Sequence, residues 1–270
     1  MTGADAVDRS DPVTVSRLAD DLRSLGVRED DTLLVHSSLS SLGWVPGGAR
    51  AVVDALFDAV SAAGTLVMPT HSPQYADPTD WENSTAPDGA SGGIRTSMAP
   101  YRPDVSPTRG MGAIPESFRS SPGVVRSRHP IYSFAARGAD ADAVVADHAY
   151  DGGLGEKSPL AAVYDRGGSV LLLGVGHDSD TSLHLAEHRA RFDQTVLSDG
   201  APVLLDGERA WIEFERPDYD GGDFADLGRA FERDRPDAVA RGRVGHAEAR
   251  LLDQRPLVEY AVEWFERTRR

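Results

Sequence analysis

The segment DTLLVHSS, residues 31–38, is a short apolar run that opens into serines, and it reads as a β-strand. Upstream, VTVSRLADDLRSLGV (13–27) places Val15, Leu18, Leu22 and Leu25 at helical spacing, with Gly26 as the cap. Downstream, after a glycine-rich turn, ARAVVDALFDAVSAAG (49–64) repeats Val53, Leu56, Phe57 and Val60 on one helical face and stops at Gly64. TLVMPT (65–70) is the next strand. Strand, helix and strand make a β-α-β unit, which is expected to be parallel and right-handed.

Further along, SVLLLGVG (169–176) is a continuous apolar run, as expected of a strand buried on both faces. HPIYSFAARG (129–138) reads as a strand and ADAVVADH (141–148) as a short helix. SPLAAVYDRGG (158–168) is a punctuated helix, with Ser158 at the N-cap, Pro159 in the first turn and Gly167 past the end. APVLLDGERAWIEFE (201–215) reads as a hairpin with Asp206-Gly207 at its tip. DFADLGRAFE (223–232) and RPLVEYAVEWFERTRR (255–270) read as helices. From His71 to about Arg128 the chain is rich in Pro, Gly, Ser, Thr and Asp and keeps no hydrophobic period. Its aromatics Tyr75, Trp81 and Tyr101 argue for a structured loop insertion that walls a pocket. The expectation is one α/β domain over residues 13–270: a central mixed β-sheet flanked by helices, with a long loop insertion that walls a pocket. Residues 1–12 are expected to be a flexible N-terminus.

The 270-residue chain has 28 Lys+Arg against 43 Asp+Glu, a net charge of −15, and Lys157 is its only lysine. Such a surface repels nucleic acid and anionic membranes. The absence of cysteine excludes disulfides and thiolate metal sites. No apolar run approaches the ~20 residues of a membrane span. The N-terminal residues lack the order of a signal peptide, so a cytoplasmic enzyme is expected, as monomer or homodimer.

The chemistry concentrates in TSLHLAEHRARF (181–192). As a helix it sets His184, Glu187 and His188 on one face and Leu183, Ala186 and Ala190 on the core side. His184 falls at the helix N-terminus just past the carboxyl end of a buried strand, where open α/β sheets place ligands and where the neutral imidazole is favoured. The spacing H-x-x-E-H also fits a zinc hydrolase, which would need a third ligand from elsewhere. A serine hydrolase is disfavoured because no G-x-S-x-G elbow occurs. His36 and His129 read as structural.

Several long blocks together resemble the aminoglycoside 3-N-acetyltransferase family, which is not the GNAT fold. They are LLVHSSLSSLGWVPGGARAVVDAL, GTLVMPTHS, SPTRGMGAIPESFRSSPGVVRSRHPIYSFAARG, GEKSPL, VLLLGVG, TSLHLAEHRA and GRVGHAEARLLDQRPLVEYA, in order through about residues 14–265. The resemblance implies acetyl-CoA as co-substrate, no metal, and a primary amine of an aminoglycoside-type polycation as acceptor. A non-antibiotic amine or amino sugar is the alternative. It implies His184 as the active-site base, with Glu187 orienting it or holding the cation. Asp223 falls where the family carries an acidic active-site residue, with Asp226 as the other match. Ser37, Ser38, Leu39, Ser40 and Gly43, then Arg109, Gly110 and Met111, and Ser133 and Phe134 match cofactor-binding segments. Tyr75, Trp81, Asp104 and Glu187 are expected on the acceptor side. His188 lies where the family commonly has an aromatic residue, which makes the zinc pattern accidental.

Overall fold

The computed structural model describes residues 11–80 and 91–269. Seven strands form one mixed sheet: β1 Thr32–Ser37, β2 Thr65–Pro69, β3 Val125–Arg126, β4 Phe134–Gly138, β5 Ser169–Leu173, β8 Val239–Val244 and β9 Ala247–Asp253, in the order β3-β4-β2-β1-β5-β9-β8. β1 lies at the centre, parallel to both β2 and β5. β4 and β9 pair antiparallel on either side of that parallel trio. A separate hairpin, β6 Val196–Leu205 and β7 Glu208–Pro217, projects from the sheet and turns at Asp206-Gly207, where both residues adopt positive φ.

The strand residues alternate between two cores. Leu33 and Val35 of β1, Leu66 and Met68 of β2, and Leu171 and Leu173 of β5 face one core. That core is closed by α1 Val15–Leu25, α2 Gly48–Ala59 and α4 Ala113–Arg119. Leu34, Val67, Val170 and Leu172 face the other core. It is closed by α5 Ala141–Ala146, α6 Pro159–Asp165, α7 Ser182–Arg189, α8 Phe224–Asp234 and α9 Gln254–Thr268. The middles of the trio, Leu33–Val35, Leu66–Met68 and Val170–Leu173, are apolar because they are covered on both faces. The remaining helix, α3 Ser91–Ser97, lies in the insertion.

The expected mixed sheet, flanking helices and hairpin are all present. Four local readings need correction. The 71–128 stretch holds ordered elements as well as loop: α4 buries Ile114, Pro115 and Phe118, and β3 adds an edge strand. HPIYSFAARG is a strand only from Phe134, because His129–Tyr132 fold into a turn on the His129 ring. Ser158 sits at the N-cap, yet its hydroxyl donates to the Gly155 carbonyl (2.6 Å) rather than accepting from the helix. The pair β8–β9 was not expected from the sequence at all. Most of the segment expected to be a flexible N-terminus, residues 1–10, lies outside the described residues, as does Trp81.

Candidate active site

The parallel strands β1, β2 and β5 end side by side, and a cavity of about 750 Å³ opens over their carboxyl ends. Its floor is Val35–Ser40 and Pro69, one wall is Gly110–Ala113 with Pro115, and the other is formed by Val175, Asp178, Ser179 and Thr181 from the turn before α7. The open end of a parallel sheet supplies unpaired backbone groups, and here the lining side chains are small. Among the described residues the buried Ser37 hydroxyl has no hydrogen-bond partner, and the Ser38 and Ser40 hydroxyls bond each other (3.1 Å).

Of the residues expected on the donor side, Ser37, Ser38, Leu39, Ser40, Gly110 and Met111 come together around this cavity. Others stand back from it. Gly43 faces the ring of His246 on the β8–β9 turn, too close for any Cβ. Ser133 and Phe134 are fully buried. The Ser133 hydroxyl donates to the Thr70 carbonyl (2.8 Å) just past β2, and Arg126 donates to the Ser133 hydroxyl (3.2 Å). Arg109 is exposed and is tied in by its backbone N–H to His71 (3.0 Å).

Three histidines gather near the strand ends. His36 lines the cavity at the end of β1, with Nε2 3.4 Å from the Thr181 hydroxyl and 3.9 Å from Asp180. Burial lowers its pKa, and the neighbouring His184 acts in the same direction. His71, just past β2, stands edge-on to Tyr132 and Phe134 (ring centroids 5.7 and 5.3 Å), with Nε2 buried and unpartnered among the described residues. Burial pushes it down to about 3.

His184, the third, is in the first turn of α7. Asp180 starts that helix by accepting from the Ser182 N–H (3.0 Å). The His184 ring packs on Tyr219 and Phe224, each with centroids 4.9 Å away. Its Nδ1 hydrogen-bonds Glu187, one turn on. A carboxylate only accepts, so Nδ1 carries a proton, and in the neutral ring the lone pair is then on Nε2. Nε2 meets no hydrogen-bonding group among the described residues. His184 is not among the residues lining the cavity; Thr181 stands between them on the chain.

Glu187 is 2% exposed, and its second oxygen accepts from Arg269 and from the Asp220 N–H (3.3 Å). Asp223, at the α8 N-cap, holds the same guanidinium, with Nε–Oδ2 at 2.9 Å. Asp226 instead forms an exposed pair with Arg229. His184, Glu187, Arg269 and Asp223 therefore form one continuous chain of contacts.

His188 belongs to a different setting. Its Nε2 hydrogen-bonds the Tyr219 hydroxyl (2.8 Å), its ring covers Gly152 and Gly155, and burial lowers its pKa. Among the described residues no group of three His, Asp or Glu side chains is set to hold a metal ion. On the far side, Tyr75 packs edge-on to Tyr101 (5.6 Å) and hydrogen-bonds Ser106 (2.8 Å), while Asp104 is exposed. α8 lies flush on the turn that forms the cavity wall: Gly228 sits against the His177 ring, and His177 is held by Glu232 (2.8 Å).

Sequence reasoning missed Tyr219, Thr181, Asp180 and Arg269. The run Asp-Ser-Asp-Thr just before a helix was a capping signal that could have revealed Asp180. Arg269 offered none, one of three arginines in RTRR.

Residues 34–266 match the sequence model of the family described as aminoglycoside 3-N-acetyltransferase. The SPbeta prophage-derived aminoglycoside N(3')-acetyltransferase-like protein YokD of Bacillus subtilis (strain 168) is 44% identical, over 94% of this chain and 93% of its own. Aminoglycoside N(3)-acetyltransferase VII of Streptomyces paromomycinus is 40% identical, over 96% and 93%. The crystal structure of YokD superposes with a TM-score of 0.92 at 42% identity, covering 96% of this chain and 95% of that one. AAC-IIIb, solved as a binary complex with CoASH, gives 0.86 at 30% identity, covering 95% and 97%. AAC-VIa bound to sisomicin gives 0.83 at 34%, covering 96% and 99%. With the strand-end cavity and the His184–Glu187 pair in place on that shared fold, the chain belongs to the aminoglycoside 3-N-acetyltransferase family.

Proposed function

We propose that the chain transfers acetyl from acetyl-CoA to a primary amine of an aminoglycoside-type acceptor, with His184 as general base. The observation that carries this reading is the His184–Glu187 bond, which leaves Nε2 without a hydrogen-bonding partner among the described residues, in a ring close enough to His36 and His71 at the strand ends to influence both electrostatically. At neutral pH the acceptor amine is mostly ammonium and cannot attack. The amine first loses one proton to solvent; the neutral nitrogen then attacks the thioester carbon, the C–N bond forms, the C–S bond breaks and CoA leaves as thiolate. His184 Nε2 takes the proton from the nitrogen and can return it to the sulfur. Glu187 holds the ring and stabilises the imidazolium that forms between the two transfers.

On this reading the thioester arm lies in the cavity, against Ser37–Ser40 and Gly110–Met111. Arg109 is exposed and next in sequence to the lining residue Gly110, which leaves it available to a phosphate, while Gly43, Ser133 and Phe134 support the segments around the cavity. Tyr75 and Asp104 belong to the outer acceptor wall, and the acidic chain favours a polycation there. The CoASH and sisomicin complexes of related structures support both ligand classes.

The test is CoA thiol release from acetyl-CoA against aminoglycosides and small amino sugars, with wild type and His184→Ala. Release with an aminoglycoside, lost in the variant, is expected. Release only with a small amine would keep the reaction and remove the acceptor assignment. Full activity in His184→Ala would overturn the base assignment.

A further inference from the structure

Arg269 follows α9 and lies three residues beyond the stretch that matches the family model. Its backbone N–H caps the helix on Phe265 (2.8 Å), and its side chain, 13% exposed, turns back over the site. Every guanidinium nitrogen is used. Nε and Nη2 take the two oxygens of Asp223, Nη1 takes Glu187, and Nη2 also donates to the Asp220 carbonyl (2.6 Å). The plane rests on Phe265, 4.0 Å from the ring centroid, with Phe192 at 5.5 Å.

Glu187 is buried, and a buried carboxylate needs a compensating cation or it takes up a proton. Several titratable or charged groups surround His184. Glu187 and His188 are on its own helix, and Tyr219 and Asp220 lie in the loop after β7. Asp223 is at the start of α8, and Arg269 follows α9. His36, with Asp180, stands at the end of β1, and His71 lies past β2. Arg269 is the one permanent cation in that set.

We infer that Arg269 is a positioning residue for acetyl transfer: it holds Glu187 ionised and oriented, so that His184 keeps its proton on Nδ1 and its lone pair on Nε2. Asp223 acts through Arg269 by fixing the guanidinium, which makes it a support rather than a reacting group. The inference rests on the reading of His184 as the base. It extends the site to a residue outside the family match.

The test combines rates with the titration of the His184 ring, followed by NMR in the protein alone. In Arg269→Met, kcat should fall roughly 10- to 100-fold, as when a residue that orients a site group from behind is removed, with KM for acetyl-CoA changed less than about twofold. Glu187 is then compensated by His184 alone, which favours the imidazolium. The acid limb of the pH–rate profile and the ring's titration midpoint should both move up by about one pH unit. Arg269→Lys should restore most of that shift but less of kcat, because one ammonium cannot serve Glu187 and Asp223 in the same bidentate way. Adding Asp223→Asn to Arg269→Met should bring no further loss of rate. A lower melting temperature with unchanged kcat and pH profile would overturn the inference and leave Arg269 as an anchor for α9. If Arg269→Met does not fold, Arg269→Lys decides: kcat and ring titration both equal to wild type overturn it as well. Failure of the base assignment itself would show separately, as retained activity in His184→Ala.

Discussion

The two sides of His184 are built by opposite means. The cavity side is made of strand ends, backbone and small side chains such as Ser37, Ser38 and Gly110, with almost no charge on its lining. The other side is made of long side chains from three distant segments, Glu187 of α7, Asp223 of α8 and Arg269 after α9, joined by ion pairs. The first kind of wall is fixed by the sheet and tolerates local change poorly in volume. The second is fixed by charge balance and tolerates loss of a partner poorly. His184 stands between the two.

The largest effect should come from that shared residue. His184→Ala is expected to lower kcat by roughly 100- to 10,000-fold, the usual range for a positioned base, while the Kd of acetyl-CoA by calorimetry stays within about twofold. A large loss of binding would mean that His184 is part of the donor wall, and the division between the two sides would collapse.

A volume change on the cavity side should act on the donor alone. Ser37→Phe places a ring over the end of β1, and overpacking of about 1–2 kcal/mol corresponds to a rise of about tenfold in the KM of acetyl-CoA. Saturating kcat should fall less. Equal loss of kcat would show that the floor also positions the acceptor.

His188 sharpens the contrast from within one helix. His188→Ala removes a single hydrogen bond to Tyr219, worth about 1 kcal/mol, and should change kcat/KM by less than about fivefold. Damage equal to that of His184→Ala, with metal found by elemental analysis, would favour the zinc arrangement instead.

The last effect is one of stability rather than rate and belongs to the histidines. Burial lowers the pKa of His71 to about 3 and of His148 to about 4, and lowers His36 as well. Below the ordinary value near 6.5 the unfolded chain takes up protons that the folded chain refuses. Stability is therefore full above that pH and falls as the pH drops toward the folded values, by up to about 1.4 kcal/mol per pH unit for each such histidine. The melting temperature should decline between pH 6.5 and 4.5, and His71→Phe, which also removes the unpartnered Nε2, should flatten the decline. An unchanged slope in the variant would show that His71 does not contribute.

The sequence made the centre of this fold legible and its edges illegible, for physical reasons. β1, β2 and β5 are covered on both faces, so their apolar runs are unbroken and need no context. β8 is an edge strand whose residues Ala240–Arg243 are exposed, and three arginines and a glycine across β8 and β9 hide the alternation. α4 has only seven residues with Pro115 inside, too short to show a period. At the site, His184 could be found because a helix beginning after a buried strand is a local pattern. Asp223 and Arg269 meet only through the tertiary fold, 46 residues apart in sequence, and spacing carries no sign of that.

The packing of Gly228 on His177 makes α8 and the cavity wall a single mechanical part. His177 is anchored by Glu232 from the same helix, so the ring is gripped at two points and cannot yield independently. The end of α8 carrying Asp223 grips Arg269, and its middle bears on the turn that brings Asp178 and Ser179 to the cavity wall. A rocking of that helix would move the anchor of Arg269 and the cavity wall together, making α8 a lever with Gly228 at its fulcrum.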